Sequence, residues 1–139
     1  MDLTYLLDTS ALSEPDKERP SPAFMRRLQR YDGRLATSSV TIHELWYGCQ
    51  RLAAGKRQTR IRSYLEQRVA VLPVLPYDDR AARWHADERA RLTKAGKPPA
   101  FEDGQIAAIA VVNDLVLVTA NEADFAGFAG LRVENWARA

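Results

Sequence analysis

Leu3-Thr4-Tyr5-Leu6-Leu7-Asp8 is a short apolar run closed by a carboxylate, and it decides how the rest of the chain is read. A run this short and this apolar predicts a buried strand followed by a loop, with Asp8 at the strand's carboxyl end. Residues 35–37, 115–119 and 132–135 read as further strands, and 71–75 as an edge strand because Pro73 interrupts it. Helical patterns lie between them. Ser21 can cap a helix with Pro22 at its first position, running to about Tyr31 before the turn signal Asp32-Gly33. Thr41 opens an amphipathic helix through Ile42, Leu45, Trp46, Cys49 and Leu52, closed by Gly55. A basic helix over residues 57–69 turns Ile61 and Leu65 inward, and a charged helix over 78–95 stops at Gly96 and Pro98-Pro99. A helix starting near Asp103 is apolar nearly all round at residues 106–112 and is expected to be buried. Strands alternating with helices imply right-handed crossovers, so the expected fold is α/β, a three-layer α/β/α sandwich with a mainly parallel sheet. Sites in such sheets form outside the carboxyl ends of the strands, where Asp8 and the segment after Thr119 fall.

The 139 residues suit one domain, residues 1–139. No apolar stretch approaches the roughly 20 residues that cross a bilayer, and the N-terminus lacks the basic start of a signal peptide. A cytoplasmic protein with no membrane partner is the expectation. The lone Cys49 removes disulfide and zinc-finger readings and suits a small buried helix residue. The net charge of +2 hides a division: residues 17–97 carry 18 Lys and Arg against 8 Asp and Glu, while the two flanks carry 2 against 10. First and last strands often neighbour each other in α/β folds, so this asymmetry predicts an acidic pocket beside a basic surface. A polyanion bound with a metal ion suits that pairing.

Four acids occupy structured positions where a carboxylate is not the ordinary filler: Asp8, Glu44, Asp103 and Asp124. Taken singly, each has a plainer role. Asp8 or Asp124 can cap a turn, Asp103 can sit at a helix start for the macrodipole, and Glu44 can face solvent. Their joint placement at one end of one sheet favours the other reading, since converging carboxylates repel unless protonated or neutralised by a hard cation. Mg²⁺ or Mn²⁺ suits an oxygen-only set. Zinc does not, because neither His43 nor His85 has a ligating partner at a recognised spacing, and each is expected to be a surface or helix-packing residue.

Four blocks, Tyr5 to Leu12, Ser39 to Gly48, Asp103 to Ala110 and Leu117 to Phe125, resemble in order and spacing the PIN domain ribonucleases, and within them the VapC and FitB toxins of bacterial toxin–antitoxin pairs. The resemblance covers essentially the whole chain. It implies that Asp8, Glu44, Asp103 and Asp124 are catalytic and hold metal, with Ser10, Thr119 and Asn121 as polar supports. Asp8 and Asp103 would hold the principal ion, Glu44 and Asp124 a second ion or its water. Ala120 departs from the pattern, since relatives often carry a basic residue there. The implied chemistry is hydrolysis of an RNA phosphodiester by metal-activated water.

Ser10 has no histidine partner, which disfavours a covalent serine mechanism, and an aspartyl-nucleophile phosphatase would want an acid where Ser10 stands. A non-catalytic nucleic-acid-binding or partner-binding module of PIN-like fold is the alternative, and such a module would lack one or more of the four acids. Lys56, Arg57, Arg60, Arg62 and Arg68 form a basic set able to hold the RNA backbone or simply to be solvated. The resemblance further implies a homodimer and a cognate antitoxin whose C-terminal segment lies across the acidic pocket. An inserted Arg can take the metal's place there, and residues around Trp46, Tyr47 and Tyr64 can supply apolar contact.

Overall fold

Tyr5–Leu7 (β1) is buried along its whole length, and its side chains alternate between two separate cores, as a strand covered on both faces requires. The computed structural model describes residues 2–138. In chain order β1 is followed by α1 (Thr9–Ser13), α2 (Pro22–Arg30), β2 (Leu35–Ser38), α3 (Ser39–Gln50), α4 (Lys56–Tyr64) and β3 (Val74–Leu75). Then come α5 (Asp79–Lys94), α6 (Phe101–Val112), β4 (Val116–Val118), α7 (Glu122–Phe125) and β5 (Val133–Glu134). The five strands form one parallel sheet in the order β3-β2-β1-β4-β5, with Tyr5 opposite Leu35 and Leu6 opposite Leu117. On one face Leu6, Ala36 and Leu117 pack with Ala81 and Leu92 of α5 and the apolar run of α6. On the other, Tyr5, Leu7, Leu35 and Val118 pack with Leu12, Phe24, Cys49, Leu65 and Trp136. The result is the three-layer α/β/α sandwich that the alternating pattern implies.

Several elements differ from the sequence reading, each for a local reason. The segment after Asp8 is a short helix, α1, because Asp8 itself accepts the Ala11 amide and caps it. Helix α3 begins at Ser39 rather than Thr41, since Ser38 is the residue whose hydroxyl takes the Thr41 amide (3.0 Å). The basic helix stops being α-helical at Tyr64 and continues as one wider turn, in which the Ala70 amide reaches back to the Leu65 carbonyl (2.9 Å). The edge strand shrinks to Val74–Leu75. Pro73 offers only its carbonyl, to the Thr37 amide, and Val71 is exposed. Cys49 and His85 are buried helix residues, as expected, and His43 is exposed. Among the described residues no helix is long and apolar enough to cross a membrane.

One buried carboxylate ties the end of the chain to α5. Glu88 takes both oxygens' worth of Arg91 (2.7 and 2.8 Å) and also accepts the Ala129 amide (2.9 Å), while Arg91 donates to the Gly127 carbonyl. The Arg91 guanidinium, aided by the Ala129 amide, outweighs burial and holds the Glu88 pKa below its ordinary value. A depressed carboxylate contributes stability above its unfolded pKa and loses it as pH falls through the folded one. Glu88→Gln is therefore expected to cost about 1–3 kcal/mol in urea denaturation at neutral pH. The difference shrinks when both proteins are measured in acid well below the usual carboxylate range. An equal deficit at both pH values would show that shape, not charge, is what Glu88 supplies.

Candidate active site

β1 ends at Leu7, and the sheet hands its next residue straight to a helix: the Asp8 amide still donates to the Val118 carbonyl of β4 (3.2 Å), while its carbonyl accepts Leu12 of α1. Asp8 is only 4% exposed. Its Oδ1 accepts the Ser10 hydroxyl (2.7 Å) and the Ala11 amide (2.9 Å), and its Oδ2 takes no hydrogen bond from the described residues. Asp8 thus caps α1 through Oδ1, which leaves Oδ2 unengaged among the described residues. Ser10 Oγ also lies 3.3 Å from Thr119 Oγ1 and accepts the Ala120 amide (2.9 Å), and Thr119 Oγ1 accepts the Asn121 amide (3.0 Å). These hydroxyls lock the carboxyl ends of β1 and β4 together. Of the three expected polar supports, Ser10 and Thr119 act through side chains and Asn121 through its backbone.

Glu44 reaches the same end of the sheet from α3. Ser38 caps that helix directly off β2, and the Thr37 hydroxyl donates to the Leu7 carbonyl (2.8 Å), so α3 leaves the sheet beside Asp8. Glu44 Oε1 accepts the Thr9 hydroxyl (2.9 Å). Thr9, which stands between Asp8 and Ser10, is not among the expected site residues. Asp103 sits in the first turn of α6, half-buried, after an Ala100 cap that offers no side-chain bond. Burial and then the charges of Asp124, Glu44, Asp8 and Glu102 raise its pKa from 3.8 to about 6. Asp103 therefore feels the charge of the other three, of which Asp124 is the exposed member.

A cleft of about 840 Å³ is lined by Glu44 and Asp103 together with His43, Tyr47, Arg51 and Phe101, whereas Asp8 and Asp124 are not among its lining residues. Arg51 is its one basic wall residue, and the sequence reading did not single it out. Glu44, Glu102 and Asp103 line the cleft against the single Arg51, an excess of negative charge that suits a hard cation keeping part of its water shell. Among the described residues no three His, Cys, Asp or Glu side chains already stand close enough to enclose an ion directly.

A family model for the PIN domain matches residues 5–131. The chain belongs to that family. It is 33% identical over 134 residues to the tRNA(fMet)-specific endonuclease VapC of Shigella flexneri, covering 96% of this chain and 98% of that one. It is 34% identical over 128 residues to the toxin FitB of Neisseria gonorrhoeae, covering 86% and 89%. Among solved structures, the DNA-bound VapBC of Salmonella typhimurium superposes with a TM-score of 0.87 at 33% identity, over 96% of this chain and 98% of that one.

In this PIN domain the basic set of α4 stands apart from the cleft. Arg60 donates to Asp16 (3.1 Å) and Arg62 to Gln50 (2.9 Å), while Lys56 and Arg57 are exposed. Arg68 lines a separate apolar groove of about 630 Å³ with Leu12, Met25 and Tyr64. Behind the cleft, His85 of α5 is buried against α6, its Nδ1 2.7 Å from the Tyr77 hydroxyl and its Nε2 without a partner. A Cβ on Gly104, next to Asp103, would lie 2.2 Å from that Nε2. Only glycine lets the two helices approach so closely here.

Proposed function

We propose that this PIN domain acts as one nuclease unit, an endoribonuclease toxin of a toxin–antitoxin pair that uses Mg²⁺ or Mn²⁺. The observation that carries the reading is the crowding of Asp103 by Asp124, Glu44, Asp8 and Glu102, which together with burial raises its pKa to about 6. Asp8 and Asp103 would hold the principal ion, and Glu44 and Asp124 a second ion or the water around it. When bound, the cation supplies a water of lowered pKa and a counter-charge for the phosphate. Ser10 engages one Asp8 oxygen and Thr9 one Glu44 oxygen, which leaves the second oxygen of each carboxylate for a cation. Arg51 places a cation at the cleft wall, where a phosphate passing the carboxylates needs one.

The VapC and FitB relatives and the VapBC and FitAB complexes support a cognate antitoxin as partner and RNA as substrate. A homodimer with one acidic cleft per copy completes the proposal, and α4 offers Lys56 and Arg57 to the RNA backbone. Purified protein is expected to cut RNA with added Mg²⁺ or Mn²⁺, to stop with EDTA, and to resume when the metal is restored in excess. Cleavage that persists in EDTA would overturn the metal assignment while leaving the nuclease standing.

A further inference from the structure

Tyr47 and Phe101 are large aromatic residues left exposed, at 61% and 47%, on opposite elements lining the cleft that holds Glu44 and Asp103. Side chains of this kind are ordinarily covered, and two of them at the mouth of one polar cleft call for an occupant. Neither ring sits in a purely apolar setting. The Arg51 guanidinium lies 5.8 Å from the Tyr47 ring centre, and that of Arg89 lies 5.3 Å from the Phe101 ring centre. Along α3 and its C-cap, His43, Tyr47 and Arg51 follow one another at one-turn intervals, with the His43 and Tyr47 rings 26° from parallel at 6.1 Å. Flat groups interleaved with cations, beside a phosphate-cleaving pocket, match the chemistry of an unpaired nucleic-acid strand: bases stack on rings while guanidiniums meet phosphates. A duplex presents neither free base face, so the same surface selects against paired RNA.

Resting on the ribonuclease reading above, we infer that Tyr47 and Phe101 form a stacking platform for the bases flanking the scissile phosphate. These rings position substrate. They are not catalytic. The occupant is RNA rather than a second copy of this chain, because the cleft's carboxylates and its flanking Arg51 and Arg89 offer charge contacts that an apolar self-contact would have to strip of water.

The test uses a short RNA whose cut site has been mapped by sequencing its ends, together with versions made abasic on either side of the cut. Tyr47→Leu is expected to raise KM by roughly 5- to 100-fold on the intact strand, with the loss falling on KM rather than kcat, and Tyr47→Trp to restore it. On the strand abasic at the stacked position the unmodified enzyme is already weakened, and Tyr47→Leu adds nothing further. An unchanged KM, or the same loss on intact and abasic strands, overturns the platform. So does a shift from dimer to monomer in sedimentation of Tyr47→Leu, which would assign the ring to a contact between copies. If the unmodified protein cuts no RNA, the ribonuclease reading fails on its own, and anisotropy with labelled intact and abasic strands then decides the platform. Equal Kd values would overturn it.

Discussion

Asp103→Asn is expected to lose RNA cleavage by at least about 100-fold while the folded protein becomes more stable in the absence of divalent cations. The two effects share one cause. The ionised Asp103 is held in the fold against burial and against Asp124, Glu44 and Asp8, which is why its pKa stands near 6 rather than 3.8. A carboxyl raised in this way favours the folded state in acid, and that advantage is lost as pH rises through about 6. Asn removes the charge and keeps the shape. Its stabilising effect should be near zero at about pH 4 and on the order of 1 kcal/mol at about pH 8, allowing for the solvent that screens a half-exposed group. Urea denaturation at the two pH values measures it. Added Mg²⁺ should raise the melting temperature of the unmodified protein more than that of the variant. A folded Asp103→Asn protein that cuts RNA normally would remove Asp103 from the site, and a gain equal at both pH values would remove the charge explanation.

Gly104→Ala should be strongly destabilising. The new methyl would lie 2.2 Å from His85 Nε2 and 2.6 Å from its Cδ2, with the ring fully buried and its Nδ1 held by Tyr77. Neither helix can yield freely, since α5 and α6 pack along the same core as Leu6 and Leu117. A loss of about 3 kcal/mol is expected, or roughly 10 °C in melting temperature for a chain of this size. The effect should reverse sign where the ring is missing. In a His85→Ala background, Gly104→Ala is expected to stabilise by about 0.5–1 kcal/mol, because alanine is then simply the better helix residue. A double variant as unstable as the sum of the two single ones would show that the close approach to His85 is not what glycine serves.

The two periods of apolar patterning made most of the sheet and its covering helices readable, because burial on both faces leaves uninterrupted runs such as residues 5–7 and 106–110. What escaped were features settled by single hydrogen bonds across the fold. Nothing local distinguishes Ser38 from Thr41 as the cap of α3, and the choice follows from where β2 ends in the sheet. The four acids stood out as a set because carboxylates are rare at structured positions. Thr9 and Arg51 did not, because a threonine in a turn and an arginine at a helix end are ordinary fillers whose task depends on what lies across the cleft. The glycine at 104 is likewise unremarkable in sequence. Its neighbour is a histidine from another helix.

The position of β1 between β2 and β4 has a consequence for the order in which the protein is made. Its two hydrogen-bonding edges are filled by a segment that leaves the ribosome early and one that leaves late. A nascent chain ending before residue 100 carries Asp8 and Glu44 but neither Asp103 nor Asp124, and the edge of Leu6 that pairs with Leu117 is still open. At roughly 5–20 residues per second, the stretch from residue 100 to 139 takes on the order of 2–8 s to add. The acid pocket therefore cannot be assembled before residues 103 and 124 have been added. An antitoxin already present has the whole of that interval to be in place before the first RNA can be cut.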